Sequence, residues 1–155
     1  MNVKLGTRVA IAGPYGIFSD QARTQEGLVL VGFGIGIAPI RAILEETPVT
    51  RGLATVILRA SHERELYLVD EVADLCRRRG ARLVTLVGHR AESIDGRQQW
   101  VPQSAAGNSL RDFAPYVAHS DVFVCGPQAA ADLVVADALA AGTPPDSIHN
   151  ERFAW

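Results

Sequence analysis

The stretch Gly27-Leu-Val-Leu-Val-Gly-Phe-Gly-Ile-Gly-Ile-Ala-Pro-Ile-Arg-Ala-Ile-Leu-Glu45 decides the fold of this chain. It begins with a short apolar run, residues 28–31, which is typical of a strand buried on both faces. Glycines at alternate positions follow, and Pro39 then falls in the first turn of a segment with helical spacing. The pattern predicts a strand, a glycine turn and a helix. This arrangement directs backbone N–H groups and a positive helix end at an anion, most often a phosphate.

The glycine spacing differs from the dinucleotide-binding fingerprint of ordinary Rossmann domains. Ile37 stands where G-x-G-x-x-G has its third glycine after Gly32 and Gly34. The fingerprint also has an acidic residue about 20 positions further on, at the end of the second strand. This chain has Arg59 there, followed by Ala-Ser-His. The residues alone leave two interpretations open: a phosphate-binding turn, or a tight strand–helix connection without a ligand.

Length and composition indicate one globular domain of ordinary character. The chain has 155 residues, of which 48% are hydrophobic and 21% charged. Its net charge of −2 gives no reason to expect nucleic acid or a membrane surface as a partner. The two cysteines, Cys76 and Cys125, form no C-x-x-C pair, so neither a disulfide framework nor a metal site is indicated. A reducing, cytoplasmic setting is therefore expected.

Apolar runs alternate with helical patterns along the rest of the chain. Strands are predicted at 7–12, 53–58, 82–87, 121–125 and 147–153, helices at about 66–79, 109–118 and 127–141, and a polar loop at 91–108. Strands and helices that alternate in this way form parallel sheets with right-handed crossovers. We therefore predict an α/β fold: a doubly wound parallel sheet of about five strands flanked by helices.

Ligands of such sheets bind beyond the carboxyl ends of the strands. The residues with chemical potential all fall at those predicted ends. They are Gly32, Gly34 and Gly36 after the first strand, Arg59 and Ser61 after the second, Gly88 and His89 after the third, and Cys125, Gly126 and Pro127 after the fourth. Their convergence on one edge favours a binding site there.

Three segments carry a resemblance to a known family. They are Gly-Ile-Gly-Ile-Ala-Pro at 34–39, Cys-Gly-Pro at 125–127 and Glu-Arg-Phe-Ala-Trp at 151–155. In this order they resemble the nicotinamide-nucleotide domain of the ferredoxin–NADP reductase superfamily. The front segment, 6–18, is similar to the last strand of that superfamily's flavin-binding barrel. The segments 86–90 and 148–153 are most similar to ferric-reductase-like and NADPH-oxidase-like members.

The resemblance implies an organisation and an activity. Residues 1–20 would be a remnant of the flavin barrel with its linker, and residues 21–155 the NAD(P)-binding domain. The complete protein would pass hydride from NADPH to FAD, and on to an acceptor such as ferric iron, heme or oxygen, which the sequence does not identify. Its flavin-binding domain is absent from this chain, so we expect weak NADPH binding and no turnover. The parent could lie on the cytoplasmic face of a membrane, without membrane contact through this chain.

The resemblance also implies how the nucleotide is held. The pyrophosphate would lie on the turn and first helical turn formed by Gly32, Gly34, Ile35, Gly36, Ile37, Ala38 and Pro39. Arg59, with Ser61 beside it, would meet the adenosine 2′-phosphate, because a guanidinium presents a fixed fork to phosphate oxygens. That contact favours NADPH over NADH, and the absence of the fingerprint's acidic residue agrees with it.

Further residues are placed by the resemblance at the nicotinamide. Cys125 would pack beside the ring as a positioning group, since no base is available to make it a nucleophile, and Gly126 and Pro127 would shape the turn. Glu151, Phe153 and Trp155 would face the flavin–nicotinamide junction, where a terminal aromatic shields the flavin. His89 and His149 resemble family positions, but we interpret both as structural or solvated.

One departure and two alternatives accompany this interpretation. Phe33 stands where most relatives carry a second glycine, so we expect a tighter or differently shaped turn. The first alternative is the nucleotide domain of a soluble flavoprotein that serves a ferredoxin or an oxygenase. The second is a module that senses nucleotide without redox work, which would not need Cys125 or the terminal aromatics.

Overall fold

A five-stranded, all-parallel sheet organises the computed structural model, which describes residues 6–8, 18–93 and 96–153. The elements in chain order are β1 (Gly27–Phe33), α1 (Ile37–Glu46), β2 (Ala54–Ala60), α2 (Val69–Arg79), β3 (Arg82–Val87), β4 (Arg90–Glu92), β5 (Gln98–Pro102), α3 (Leu110–Phe113), β6 (Ser120–Pro127), α4 (Gln128–Ala140) and β7 (Ile148–Phe153). The sheet order is β3-β2-β1-β6-β7, and β4 pairs with β5 as a separate antiparallel hairpin. The predicted fold class is confirmed.

Strand β1 lies at the centre of the sheet and divides two hydrophobic cores. Leu28 and Leu30 pack on the face covered by α1 and α2. Val29 and Val31 pack on the opposite face, with α3, α4 and the hairpin. Successive side chains of a strand point to opposite faces, so a strand covered on both sides must be apolar at every position. The continuous apolar run that opens the glycine stretch follows directly from this placement.

The ends of the helices follow local rules. Helix α1 begins at Ile37 with Pro39 in its first turn, and α2 ends in three arginines followed by Gly80, which adopts a left-handed φ of 75°. Cations in the last turn oppose the negative end of the helix dipole, and glycine accepts the left-handed cap without a steric cost. The sequence predicted both features.

Two predicted elements require correction. The segment 91–108, predicted as a loop, contains most of the β4–β5 hairpin, because Trp100 buries its ring against Phe113 and α4. The helix predicted at 109–118 ends at Phe113, shortly before Pro115, whose ring disfavours helical geometry in the residue before it. Ser109 does cap that helix, in a reciprocal box with Asp112.

Two predictions concern the ends of the chain. The terminal edge strand predicted at 147–153 is confirmed as β7. The strand predicted at 7–12 falls mostly outside the described residues, and the division into 1–20 and 21–155 stays a prediction. Among the described residues, no helix combines the length and the apolar character needed to cross a membrane.

A buried carboxylate anchors the segment that enters the sheet. Asp121, at the start of β6, is fully buried and accepts hydrogen bonds from the backbone amides of Thr24 (2.8 Å) and Gln25 (2.7 Å). His149 of β7 lies 3.2 Å away through Nε2 and stacks on Phe123. Asp121 therefore joins the entering segment to two neighbouring strands, and the structural interpretation of His149 is confirmed.

Replacing this carboxylate is expected to destabilise the fold. Asp121→Ala removes the acceptor shared by two partly buried backbone amides, and we expect the free energy of unfolding to fall by about 3 kcal/mol. Asp121→Asn keeps one acceptor oxygen and should lose about half as much. Urea denaturation followed by circular dichroism measures both. Equal stability of Asp121→Ala and the wild type would contradict an anchoring role.

Candidate functional site

The glycine turn packs closely against the backbone of β6. It forms a short 3₁₀ segment, Gly34–Gly36, between β1 and α1. Gly34 has φ +53°, in the left-handed region that favours glycine. A Cβ on Gly36 would fall 2.2 Å from the carbonyl oxygen of Cys125, so only glycine fits there. Ile35, at the tip of the turn, is 53% exposed.

The turn lies where the direction of sheet winding reverses. Strands β1 and β6 are neighbours at the centre of the sheet, and the helices that follow them, α1 and α4, pack on opposite faces. In the described part of the chain, neither helix has a side-chain cap or an acidic residue in its first turn. Two uncapped, positive helix ends therefore flank this edge, which is where doubly wound sheets bind anionic ligands.

A cleft of about 360 Å³ opens at this edge. Among the predicted site residues, those that line it are Gly34, Ile35, Arg59, Ser61 and Pro127. The other predicted residues of the turn and first helical turn lie outside its lining: Gly32, Gly36, Ile37, Ala38 and Pro39. The turn and the end of β2, separate in sequence, thus share one cavity.

Arg59 lies inside β2 rather than after it, and it is only 3% exposed. Its Nε donates to the carbonyl of Trp100 at 2.9 Å, and its Nη1 donates to the carbonyls of Ala60 and Leu86. Its Nη2 is buried and has no hydrogen-bond partner among the described residues. Burial lowers the pKa of Arg59, and the nearby charge of Arg90 lowers it further. Arg59 therefore holds the β4–β5 hairpin against the sheet through its hydrogen bonds. Its Nη2 amino group makes none of them.

The sequence analysis missed Arg90 as a site residue. It is exposed, begins β4, lines the cleft and lies close enough to Arg59 to lower the pKa of that guanidinium. Two neighbouring guanidinium groups repel each other, so an anion between them would be favourable. The signal was available, because Arg90 comes shortly after the end of β3, next to the predicted strand-end residue His89.

An acidic residue also lies in the cleft, although the end of the second strand itself carries Arg59 in place of the fingerprint's acid. Glu65, on the 3₁₀ turn Glu63–Glu65, lines the cavity. Its Oε2 accepts a hydrogen bond from the backbone amide of Ser61 at 3.2 Å. The position of Glu65 in the sequence, five residues beyond β2, does not reveal this contact, because the turn folds back toward the end of the strand.

Cys125 lies beneath the glycine turn rather than in the cleft. Its side chain is fully buried, and its backbone pairs in register with Gly32 on one side and Glu151 on the other. Burial, aided by the charge of Glu151, raises the pKa of the Cys125 thiol to about 12. A neutral thiol fits the packing role expected for Cys125 and offers no nucleophile.

Of the two predicted aromatic residues at the end of the chain, Phe153 lies within the last strand. The backbone of Phe153 pairs with Pro127 at the end of β7, and Trp155 lies outside the described residues. Phe33 packs across Gly126, where a Cβ would fall 2.7 Å from the Cβ of Phe33. The bulky residue at the second glycine position is thus accommodated by a glycine on β6.

His62 and His89, both exposed, touch edge to face with ring centroids 5.6 Å apart.

The fold is that of ferredoxin reductase-like NAD/FAD-binding domains, and comparisons with known proteins support that superfamily. No family model matches the chain. The chain is 29% identical over 157 residues to the reductase component of propane 2-monooxygenase from Rhodococcus jostii strain RHA1, covering 97% of this chain and 42% of that protein. It is also 29% identical to a flavohemoprotein of Vibrio cholerae, covering 98% of this chain and 36% of the relative.

A solved structure shows the same relationship. The flavohem-like FAD/NAD-binding domain of nitric oxide dioxygenase from Vibrio cholerae superposes with a TM-score of 0.61 and 27% identity, covering 84% of this chain and 52% of that chain. The chain spans less than half the length of the two curated relatives. These similarities support a domain of a flavoprotein reductase.

Both cysteines should resist alkylation in the folded protein. Burial raises the pKa of Cys76 to about 11 and that of Cys125 to about 12, so both stay protonated well above the usual thiol pKa of about 8.5. We expect iodoacetamide near pH 8 to label neither thiol in the folded chain and both in concentrated guanidinium chloride, as read by mass spectrometry. Rapid labelling of folded Cys125 would contradict this expectation.

The same burial makes the stability depend on pH. The free energy of unfolding should fall as pH rises above about 9, because only the thiols of the unfolded chain ionise there.

Proposed function

We propose that this chain is the nicotinamide-nucleotide half of a flavin-dependent reductase that takes hydride from NADPH. The observation that carries the proposal is the glycine turn packed against β6 between two uncapped helix ends. Because Gly36 has no Cβ, the turn and the strand backbone come together at the switch point of the sheet. A pyrophosphate fits such a cradle, since backbone dipoles there favour a double negative charge.

The far end of the cleft suits an additional phosphate. Buried Arg59 and exposed Arg90 both line this cavity. A 2′-phosphate beside Arg90 would relieve the repulsion between the two guanidinium groups. In this assignment Arg90 is the accessible phosphate ligand, and Arg59 acts mainly by bracing the hairpin that presents Arg90.

The other end of the edge would serve hydride transfer. When bound, the nicotinamide supplies the hydride and the flavin accepts it. Cys125, as a buried neutral thiol, provides a packed floor, and Glu151 lies beside it on β7. Phe153 and Trp155 are proposed to exclude water from the junction between the two rings. The flavin-binding domain is the expected partner, contacting the exposed tip of the turn at Ile35.

The acceptor is proposed from the relatives. They include reductase components of monooxygenases and flavohemoproteins. These names favour an oxygenase-type reductase, which is the first alternative stated above, or a heme-linked reductase over a ferric-reductase-like parent. In either case the electrons would leave through the flavin. The roles proposed for the residues at this sheet edge therefore do not depend on which acceptor the flavin reduces.

Calorimetric titration tests the proposed site. We expect NADPH to bind the wild type and Arg90→Ala to weaken it about tenfold, equivalent to about 1.4 kcal/mol, by removing one charged phosphate contact. NADH affinity should change little. Arg64→Ala is the matched control, because Arg64 is exposed on the neighbouring 3₁₀ turn without lining the cleft. Failure of the wild type to bind either nucleotide would refute the proposal.

A further inference from the structure

Two histidines stand side by side where β2 and β3 end. The strands are parallel, and their last paired residues are Ala60 and Val87. His62 and His89 each follow two positions later, so the register of the strands brings the two imidazoles together. Their rings touch edge to face, with centroids 5.6 Å apart and an interplanar angle of 87°. Both residues are exposed, so an ion can reach them from solution.

Hydrogen bonds fix the backbone on both sides of this histidine pair. The amide of Gly88 donates to the carbonyl of Ala60 at 3.1 Å, which joins the two strand ends just before the histidines. The carbonyl of His62 accepts from the amide of Glu65 at 3.0 Å, and that of His89 accepts at 3.2 Å from the amide directly after β5. Two ligands on a fixed backbone lose little freedom when they bind the same ion.

The separation of the two rings suits a single bound metal ion. Imidazole is the commonest protein ligand of transition metals. Zinc binds its nitrogen at about 2.0–2.1 Å, and two imidazoles on one tetrahedral ion place their ring centres about 5 Å apart. The observed 5.6 Å therefore requires only a small movement of either ring. Exposed side chains make such movements readily.

The charges around the pair are mixed. Glu63 and Glu65 on the adjoining 3₁₀ turn are negative, whereas Arg64 on that turn and Arg90 next to His89 are positive. The affinity must therefore come from the imidazoles, which favour zinc over a cation that prefers oxygen ligands, such as Mg²⁺. In the part of the chain that the structure describes, no three histidine, cysteine, aspartate or glutamate side chains form a metal cluster. Water would fill the remaining coordination positions.

The other potential zinc ligands of the chain are closed or isolated. His149 is buried beside Asp121, and both cysteines are buried as protonated thiols, whereas a metal binds the thiolate. His119, the last of the four histidines, is exposed just before β6 begins, at the opposite edge of the sheet from the pair. The pair is therefore the place where two accessible imidazoles meet.

We propose that His62 and His89 form a binding site for one divalent ion of the zinc class. The ion joins the end of β2 to the start of the β4–β5 hairpin. Ser61 and Arg90, the sequence neighbours of the two histidines, line the cleft, so the bound ion holds two of its walls at a fixed separation. The site is independent of the proposed nucleotide function, because its ligands are imidazoles outside the lining of the cleft.

Calorimetric titration of the full chain, free of any histidine tag, tests the site with Zn²⁺ and separately with Mg²⁺. We expect one Zn²⁺ per chain and no binding of Mg²⁺. His62→Gln and His89→Gln should each weaken Zn²⁺ binding about tenfold or more, because a single imidazole loses the advantage of two linked ligands. His119→Gln is the matched control, since it removes an exposed imidazole elsewhere. Circular dichroism verifies that all three variants fold.

Thermal melting gives a second readout. Zn²⁺ should raise the melting temperature of the wild type and of His119→Gln, but not that of either pair variant, because an ion that binds the folded state stabilises it. The proposal is overturned if the wild type binds no Zn²⁺ at millimolar concentration or binds Mg²⁺ equally well. It is also overturned if either pair variant keeps wild-type affinity or if His119→Gln loses as much. Each of these results leaves the proposed function standing, since nucleotide binding is measured separately.

Discussion

The contact between Gly36 and the carbonyl of Cys125 is the constraint on which the rest of this molecule depends. A Cβ at Gly36 would overlap that oxygen, so the turn after β1 can lie against β6 only without a side chain. This contact fixes where α1 begins and leaves its amino end open at the sheet edge. The cleft, the helix ends and the buried thiol take their relative positions from it.

Much of the fold was predictable because its determinants are local. The apolar run before Gly32, the proline in α1 and the arginines before Gly80 each specify one element within a few residues. The hairpin was missed for the opposite reason. Trp100 becomes a core residue through partners outside the segment: it packs on Phe113, and its Nε1 donates to Asp137 of α4, 37 positions away. No periodicity within residues 91–108 reports that partner.

The sequence predicted where the candidate site lies, but not which of its residues are accessible to a ligand and which are buried in the structure. The sheet-edge rule correctly gathered Gly34, Arg59 and Ser61 into one cavity. It did not reveal that the hairpin buries Arg59, nor that a short turn returns Glu65 to the end of β2. Whether an arginine binds ligand or braces structure depends on what covers it, and here the cover comes from a segment distant in sequence.

The Asp121 anchor has a consequence for the order of folding. It joins residues separated by 97 positions, so it closes a long loop and carries a large entropic cost until the central strands have paired. We therefore expect the segment around Thr24 to dock late, after β1 and β6 are adjacent. In a longer protein, the orientation of any preceding domain relative to this one would become fixed only after the sheet has formed.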